Sequence, residues 1–372
     1  MLYTIYPKSK YVAKIKEKSV LLGSKAYSPT TKYNVGGSDL GIPCWDDVRG
    51  KMYFWFGDTF HEENKIGSDW RSNVAGISSC SDISEGIVWD DFLHDEKGYA
   101  REITCSLKRT NDENIEVTNI PTGAICINGT HYMFYMSISK WMLGLGWIVS
   151  YNGVMKSQDG VNFSRSRTAF FTCDNPDVAQ NLLGIGQEEY DAHFHPNFAQ
   201  TFPILGNDGY VYLFGLKAGR HGGVKLARVK PEDIENFDKY YYRVSDGTFV
   251  QGEEGRKRSA EEDCFIVPPD VGEISVCRCD KLGKYFMTYL TDKLASRDTP
   301  GIVLRVSDDL IEWSQPELLI TYFDYYKLYG GFMHRKLVSP DGSKMYMLLS
   351  QWVSPRKRDH GYNVKLMEIT LK

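Results

Sequence analysis

An all-β fold is what this sequence predicts, and three observations carry that expectation. Short runs rich in Val, Ile, Tyr, Phe and Trp alternate with polar residues, the period-two pattern of strands with one buried face. Aromatic residues are in surplus: 8 Trp, 24 Tyr and 18 Phe among 372 residues. One internal order (strand, glycine turn, aromatic strand, third strand) recurs five times. First strands are expected at 40–45, 121–127, 198–205, 273–279 and 331–338. Aromatic second strands follow at 51–56, 130–138, 209–215, 284–290 and 343–350. The turns between them read Val48-Arg49-Gly50, Asn128-Gly129, Asn207-Asp208-Gly209, Lys281-Leu282-Gly283 and Pro340-Asp341-Gly342. Glycine there supplies the positive φ that tight hairpins require.

Third strands begin at 73, 153, 223, 301 and 363, at spacings of 80, 70, 78 and 62. Five sheets of three to four strands in one order predict a five-bladed β-propeller. A two-sheet sandwich is the alternative for the same strands. After the third strand at 363–369 the last sheet has no fourth strand. The strand-like segment 11–22 is expected to supply it, closing the ring by an N-terminal strand and covering an exposed edge. No linker or low-complexity stretch divides the chain, so residues 1–372 read as a single domain.

Composition narrows the function. Lys plus Arg number 44 and Asp plus Glu 48, a net charge of −4. With no basic stripe, nucleic acid is not the expected partner. No apolar run approaches the roughly 18 residues of a membrane span. The N-terminus lacks a basic segment followed by an apolar one, so no signal peptide is expected, and location stays open between cytoplasmic, phage-associated and exported by another route. The 8 cysteines are dispersed and contain no C-x-x-C, which fits neither a disulfide framework nor a zinc site. Cys277 and Cys279, two apart, should share one strand face.

Propeller geometry locates candidate chemistry. Residues just before first strands and just after second strands converge on one mouth. Asp39 and Asp58 flank the same hairpin there, and Glu273 opens the first strand of the fourth sheet. Paired carboxylates suit glycoside hydrolysis, one as acid and the other as base or nucleophile. Each also has a local alternative: Asp39 or Asp58 as a turn cap, Glu273 as an exposed edge residue. Arg71, Asn73, Gln200 and Arg220 are candidates to bind hydroxyls or hold carboxylates, with Trp141 and Trp352 as stacking walls. His195, at the head of the third sheet, is a further candidate to face substrate. Alternatively, Asp191-Ala192-His193-Phe194-His195 puts two His on one face of a possible strand, and a structural metal ion there is weighed against the cofactor-free expectation.

The ordered motifs resemble one family. Ser38-Asp39-Leu40-Gly41-Ile42-Pro43 with Phe56-Gly57-Asp58-Thr59-Phe60 is similar to the signature of a five-bladed-propeller glycoside hydrolase family, long known only as a domain of unknown function. Members include endo-D-arabinofuranosidases (endo-D-arabinanases). The likeness continues through Trp70-Arg71-Ser72-Asn73, Ile120-Pro121-Thr122-Gly123 and Gly272-Glu273-Ile274-Ser275-Val276. It ends with Leu328-Tyr329-Gly330-Gly331, Leu349-Ser350-Gln351-Trp352 and Tyr362-Asn363-Val364. The resemblance implies hydrolysis of a furanoside-containing polysaccharide, D-arabinan or a related cell-wall glycan, with Asp39 as nucleophile or base and Asp58 or Glu273 as acid. Two features depart from it: the absent export signal, and segments 142–147 and 255–263, read as unmatched loops. The competing class is a non-catalytic glycan-binding propeller, an adhesin or phage receptor-binding module, which uses the same Trp, Arg and Gln without opposed acids.

Overall fold

A computed structural model describes residues 7–63, 65–79, 81–109, 115–142, 146–294, 299–325, 327–352 and 361–372. Strand β1 (Val12–Val20) comes first. The first sheet follows: β2 (Gly37–Asp46), β3 (Lys51–Phe60), β4 (Val74–Ser78) and β5 (Asp91–Phe92). The second contains β6 (Thr118–Ile127), β7 (Thr130–Met142), β8 (Gly146–Ser157) and β9 (Ser164–Thr172). Helices α1 (Pro176–Leu183) and α2 (Gln187–Ala192) precede the third sheet. That sheet holds β10 (Gln200–Leu205), β11 (Val211–Leu216), β12 (Gly222–Val229), β13 (Tyr241–Arg243) and β14 (Phe249–Gln251). After helix α3 (Gly252–Glu261), β15 (Val267–Val271) returns to pair with β12. The fourth sheet is β16 (Ile274–Cys279), β17 (Lys284–Leu294), β18 (Thr299–Ser307) and β19 (Glu317–Thr321). The fifth is β20 (Leu328–Val338), β21 (Lys344–Gln351) and β22 (Asn363–Leu371), with β1 as its outer strand.

The fold is therefore all-β, a five-bladed β-propeller. Every named strand pairing is antiparallel, as hairpin connections dictate. The N-terminal strand does what the sequence suggests. Val12 pairs with Leu371 and Val20 with Lys365, so β1 covers the edge of β22.

The chain forms two compact units: residues 1–103, 273–308 and 314–372, and residues 104–272 with 309–313. In the first, the fourth and fifth sheets share a core of Phe286, Leu290, Ile302, Leu304, Met333, Met347 and Leu349. Cys277 and Cys279 lie in it, on one face of β16 as their spacing requires, with Arg278 between them less buried. In the second unit the core is Phe134, Phe171, Phe198, Leu213, Tyr240 and Tyr242. Each such side chain contributes about 1.5–3 kcal/mol by leaving water.

Two local expectations are corrected. Segment 191–195 is not a strand. Residues 187–192 are helical, with Glu188 and Glu189 in the first turn, where they favour the positive end of the helix dipole, and His193 is the C-cap. Segment 255–263 is largely helix α3, with Glu253 and Glu254 in its first turn and Arg258 in its last. No helix among the described residues is long and apolar enough to cross a membrane.

Candidate functional site

In the first unit the site is built on the β2–β3 hairpin. Its pairing is irregular on both sides of Leu40, a β-bulge at the strand's beginning. Leu40 adopts φ 64° and Gly41 φ 83°. A left-handed leucine is strained, and its N–H is held by Ser350 Oγ of the fifth sheet at 2.8 Å. The bulge re-aims Asp39, which is 6% exposed. Its Oδ2 accepts a 2.6 Å hydrogen bond from the Tyr362 hydroxyl. Gly57 on the opposing strand leaves room for the carboxylate, because a Cβ there would stand 2.2 Å from Asp39 Oδ1.

Asp58 follows directly, half-buried, and its Oδ1 accepts from Trp70 Nε1 at 2.7 Å. Ser38 Oγ and Thr59 Oγ1 lie 2.7 Å apart across the hairpin. They hold together the two backbone stretches from which the acids project. Burial first, then the nearby Asp39 and Asp58 carboxylates, push the Tyr362 hydroxyl far above its ordinary value. Tyr362 therefore keeps its proton and uses it in the hydrogen bond to Asp39.

Glu273 stands immediately before β16, half-buried. A Cβ on Gly330 would lie 3.2 Å from Glu273 Cβ, so glycine permits this approach of the fourth and fifth sheets. Gly330 pairs with Ser350, whose hydroxyl holds Leu40 beside Asp39. Glu273 and Asp39 are thus joined through Gly330, Ser350 and Leu40. At the end of β21, the Trp352 N–H donates to Lys327 O, and the Lys327 ammonium sits 5.4 Å from the Trp352 ring centre.

Arg71 and Asn73 support this hairpin from behind. Arg71 is buried, and its guanidinium donates to the carbonyls of Asn34, Asp69 and Ala100. Thr59 and Arg71 exchange backbone hydrogen bonds. Asn73 Oδ1 accepts from the Ile103 N–H. The structure thus occupies both side chains with backbone.

The remaining candidates belong to the second unit. Trp141 is 41% exposed and meets Trp147 edge to face, ring centres 6.0 Å apart. The Arg220 guanidinium lies 5.2 Å from the Trp147 ring centre. Gln200 is buried, and its Nε2 donates to Lys217 O at 3.5 Å. His195 is placed in the interior, not at an open surface: it is wholly buried, 4.5 Å from the Phe198 ring and 6.0 Å from Tyr242. Its Nε2 faces Ser259 Oγ at 3.4 Å. His193 instead stacks on Phe170. The two imidazoles, expected on one strand face, make separate contacts because the helix C-terminus turns the chain between them.

Sequence reasoning assigned no role to Tyr362 or Glu116. Glu116 is buried in the second unit and accepts from Ser137, Tyr151 and Asn119. Glu116 lies within the segment 116–122 that the propeller pattern marks ahead of a first strand, whereas Tyr362 precedes a third strand and its partner Asp39 is 323 residues away.

These sheets and this hairpin define the molecule as a member of the five-bladed propeller class. Residues 26–368 match the family described as a domain of unknown function, DUF4185, and the chain belongs to it. No curated protein sequence matches the chain. Among solved structures, a candidate hydrolase from Bacteroides ovatus is similar at 13% identity and a TM-score of 0.57, over 90% of this chain and 85% of the other. The catalytic domain of the Coprinopsis cinerea GH62 α-L-arabinofuranosidase is similar at 11% identity and 0.51, over 97% of each chain. A family 117 glycoside hydrolase from the marine bacterium Zobellia galactanivorans is similar at 11% and 0.50, over 96% of this chain and 90% of the other. At these identities the likeness is one of fold.

Proposed function

We propose that this protein is a glycoside hydrolase that cleaves a furanoside-containing polysaccharide, acting within chains of D-arabinan or a related cell-wall glycan. The observation that carries the reading is the β2–β3 hairpin, which brings Asp39 and Asp58 to one protonated tyrosine. Fold likeness to an α-L-arabinofuranosidase domain and to a family 117 glycoside hydrolase supports it.

Roles follow from the donors. Tyr362 donates to Asp39 and Trp70 to Asp58. Donation to a carboxylate favours its charged form. Asp39 is the nucleophile or the base that activates water, and Asp58 is a second fixed negative charge beside the developing oxocarbenium. The proton for the leaving oxygen then comes from Glu273. Trp352 is a stacking wall. Arg71 and Asn73 position the hairpin, while His195 and Gln200 act through the backbone and side chains they brace.

The test compares D-arabinan with an aryl arabino-oligosaccharide, whose leaving group needs no protonation. Folded Asp39→Asn should lose about 10²–10⁴-fold on both substrates. Glu273→Gln should lose as much on the polymer and recover on the aryl substrate. Asp39→Asn turning over at wild-type rate would sink the assignment. Binding of arabinans or galactofuranans without release of products would identify a glycan-binding propeller instead.

A further inference from the structure

In the second unit, the end of the β7–β8 hairpin and the connection between β11 and β12 carry a group of side chains that the catalytic assignment does not use. Trp141 and Trp147 pair across the hairpin, and the Arg220 guanidinium packs over Trp147. The hairpin and the connection touch at glycines: a Cβ on Gly146 would lie 2.6 Å from Gly219 Cα. Gly146 has φ 93°, Gly219 φ 91° and Arg220 φ 68°, so this crossing is built from left-handed residues. Glycine takes that conformation freely, so the strain falls on Arg220 alone.

Further contacts tie the neighbouring segments to this crossing. Three residues before Arg220 stands Lys217, exposed, with Gln200 donating to its carbonyl. Asp174 is an exposed carboxyl whose pKa is raised, because partial desolvation outweighs the opposing effect of the Lys217 ammonium. The next residue, Asn175, donates from Nδ2 to Ser139 Oγ at 3.1 Å. Asn175 is itself fixed as the N-cap of α1, accepting from the Val178 N–H. Ser139 lies two residues before Trp141, at an irregularity in the β7–β8 pairing. Three solvent-facing groups thus stand on a partly buried frame: an indole, a carboxylate and an ammonium.

We propose that Trp141, Asp174 and Lys217 form a glycan-binding rim, in which a sugar ring stacks on Trp141 while its hydroxyls pair with the Asp174 carboxylate and the Lys217 ammonium. The chemistry selects a neutral sugar. Its apolar ring face fits an indole, and adjacent hydroxyls donate to one charged group and accept from the other. An anionic glycan would meet Asp174. The rim rests on the glycan reading above but not on the catalytic assignment.

Affinity gel electrophoresis in arabinan and galactofuranan polymers tests it, with thermal unfolding as the folding control. Wild type should be retarded by at least one polymer. Trp141→Ala should weaken that retardation about tenfold, and Trp141→Phe should restore most of it. Asp174→Asn should weaken it several-fold. Unchanged retardation of folded Trp141→Ala, or no retardation of wild type by any polymer, would overturn the rim. Product release with Trp141-independent binding refutes the rim and leaves the hydrolase. Trp141-dependent binding without release refutes the hydrolase and leaves the rim.

Discussion

Gly57 and Asp39 are fitted to each other across the hairpin. Any side chain at 57 would displace the carboxylate, since its Cβ would stand 2.2 Å from Oδ1. Gly57→Ala should destabilise by about 1–3 kcal/mol and reduce hydrolysis at least tenfold. The two effects separate in a double-mutant cycle. Asp39→Ala should recover most of the lost stability of Gly57→Ala, as measured by denaturant unfolding, while activity stays lost. If the two stability losses simply add, the carboxylate does not occupy that space. At this scale the candidate site was partly legible. Asp39 and Asp58 could be marked because both ends of one hairpin are visible in sequence. Tyr362 could not, because its hydrogen bond spans 323 residues. Arg71 shows the converse: a guanidinium in a conspicuous motif that donates to three backbone carbonyls.

Among elements, β1 has the plainest consequence. It pairs with β22 from Val12 to Val20, and Val12 and Ile15 pack on the core of the fourth and fifth sheets. Removing residues 1–20 should cost about 2–4 kcal/mol and leave β22 as a bare edge. Thermal unfolding and size-exclusion chromatography would check this; a monomer of unchanged midpoint would refute it. The strands were readable because glycine turns and period-two aromatics are local signals. Helices α1, α2 and α3 were not anticipated. They are short, at 8, 6 and 10 residues, and α3 is mostly polar. Turns of that size show too little periodicity to be told from loops. The added strands β13 and β14 have only 3 residues each.

For the whole molecule, the buried imidazole of His195 links stability to pH. Burial, with Lys225 and Arg256 nearby, holds its pKa well below 6.5. Above pH 6.5 the folded and unfolded imidazoles are both neutral, and the residue adds no pH dependence. As pH falls below that value the unfolded chain binds a proton that the native state refuses, so stability falls by up to about 1.4 kcal/mol per pH unit. His195→Gln should flatten the pH dependence of the unfolding midpoint between pH 6.5 and 5. An unchanged slope would show that other groups govern it. The five-sheet order was legible at this scale because it repeats, and repetition converts weak local signals into a strong one. The hydrogen bonds from Tyr362 to Asp39 and from Leu40 to Ser350 join the first sheet to the last. During synthesis the carboxylate at position 39 leaves the ribosome long before either partner exists. Its proton donor and the hydroxyl that secures its bulge arrive with the final blade, so the centre is assembled last and stays incomplete in any nascent fragment that ends before that blade.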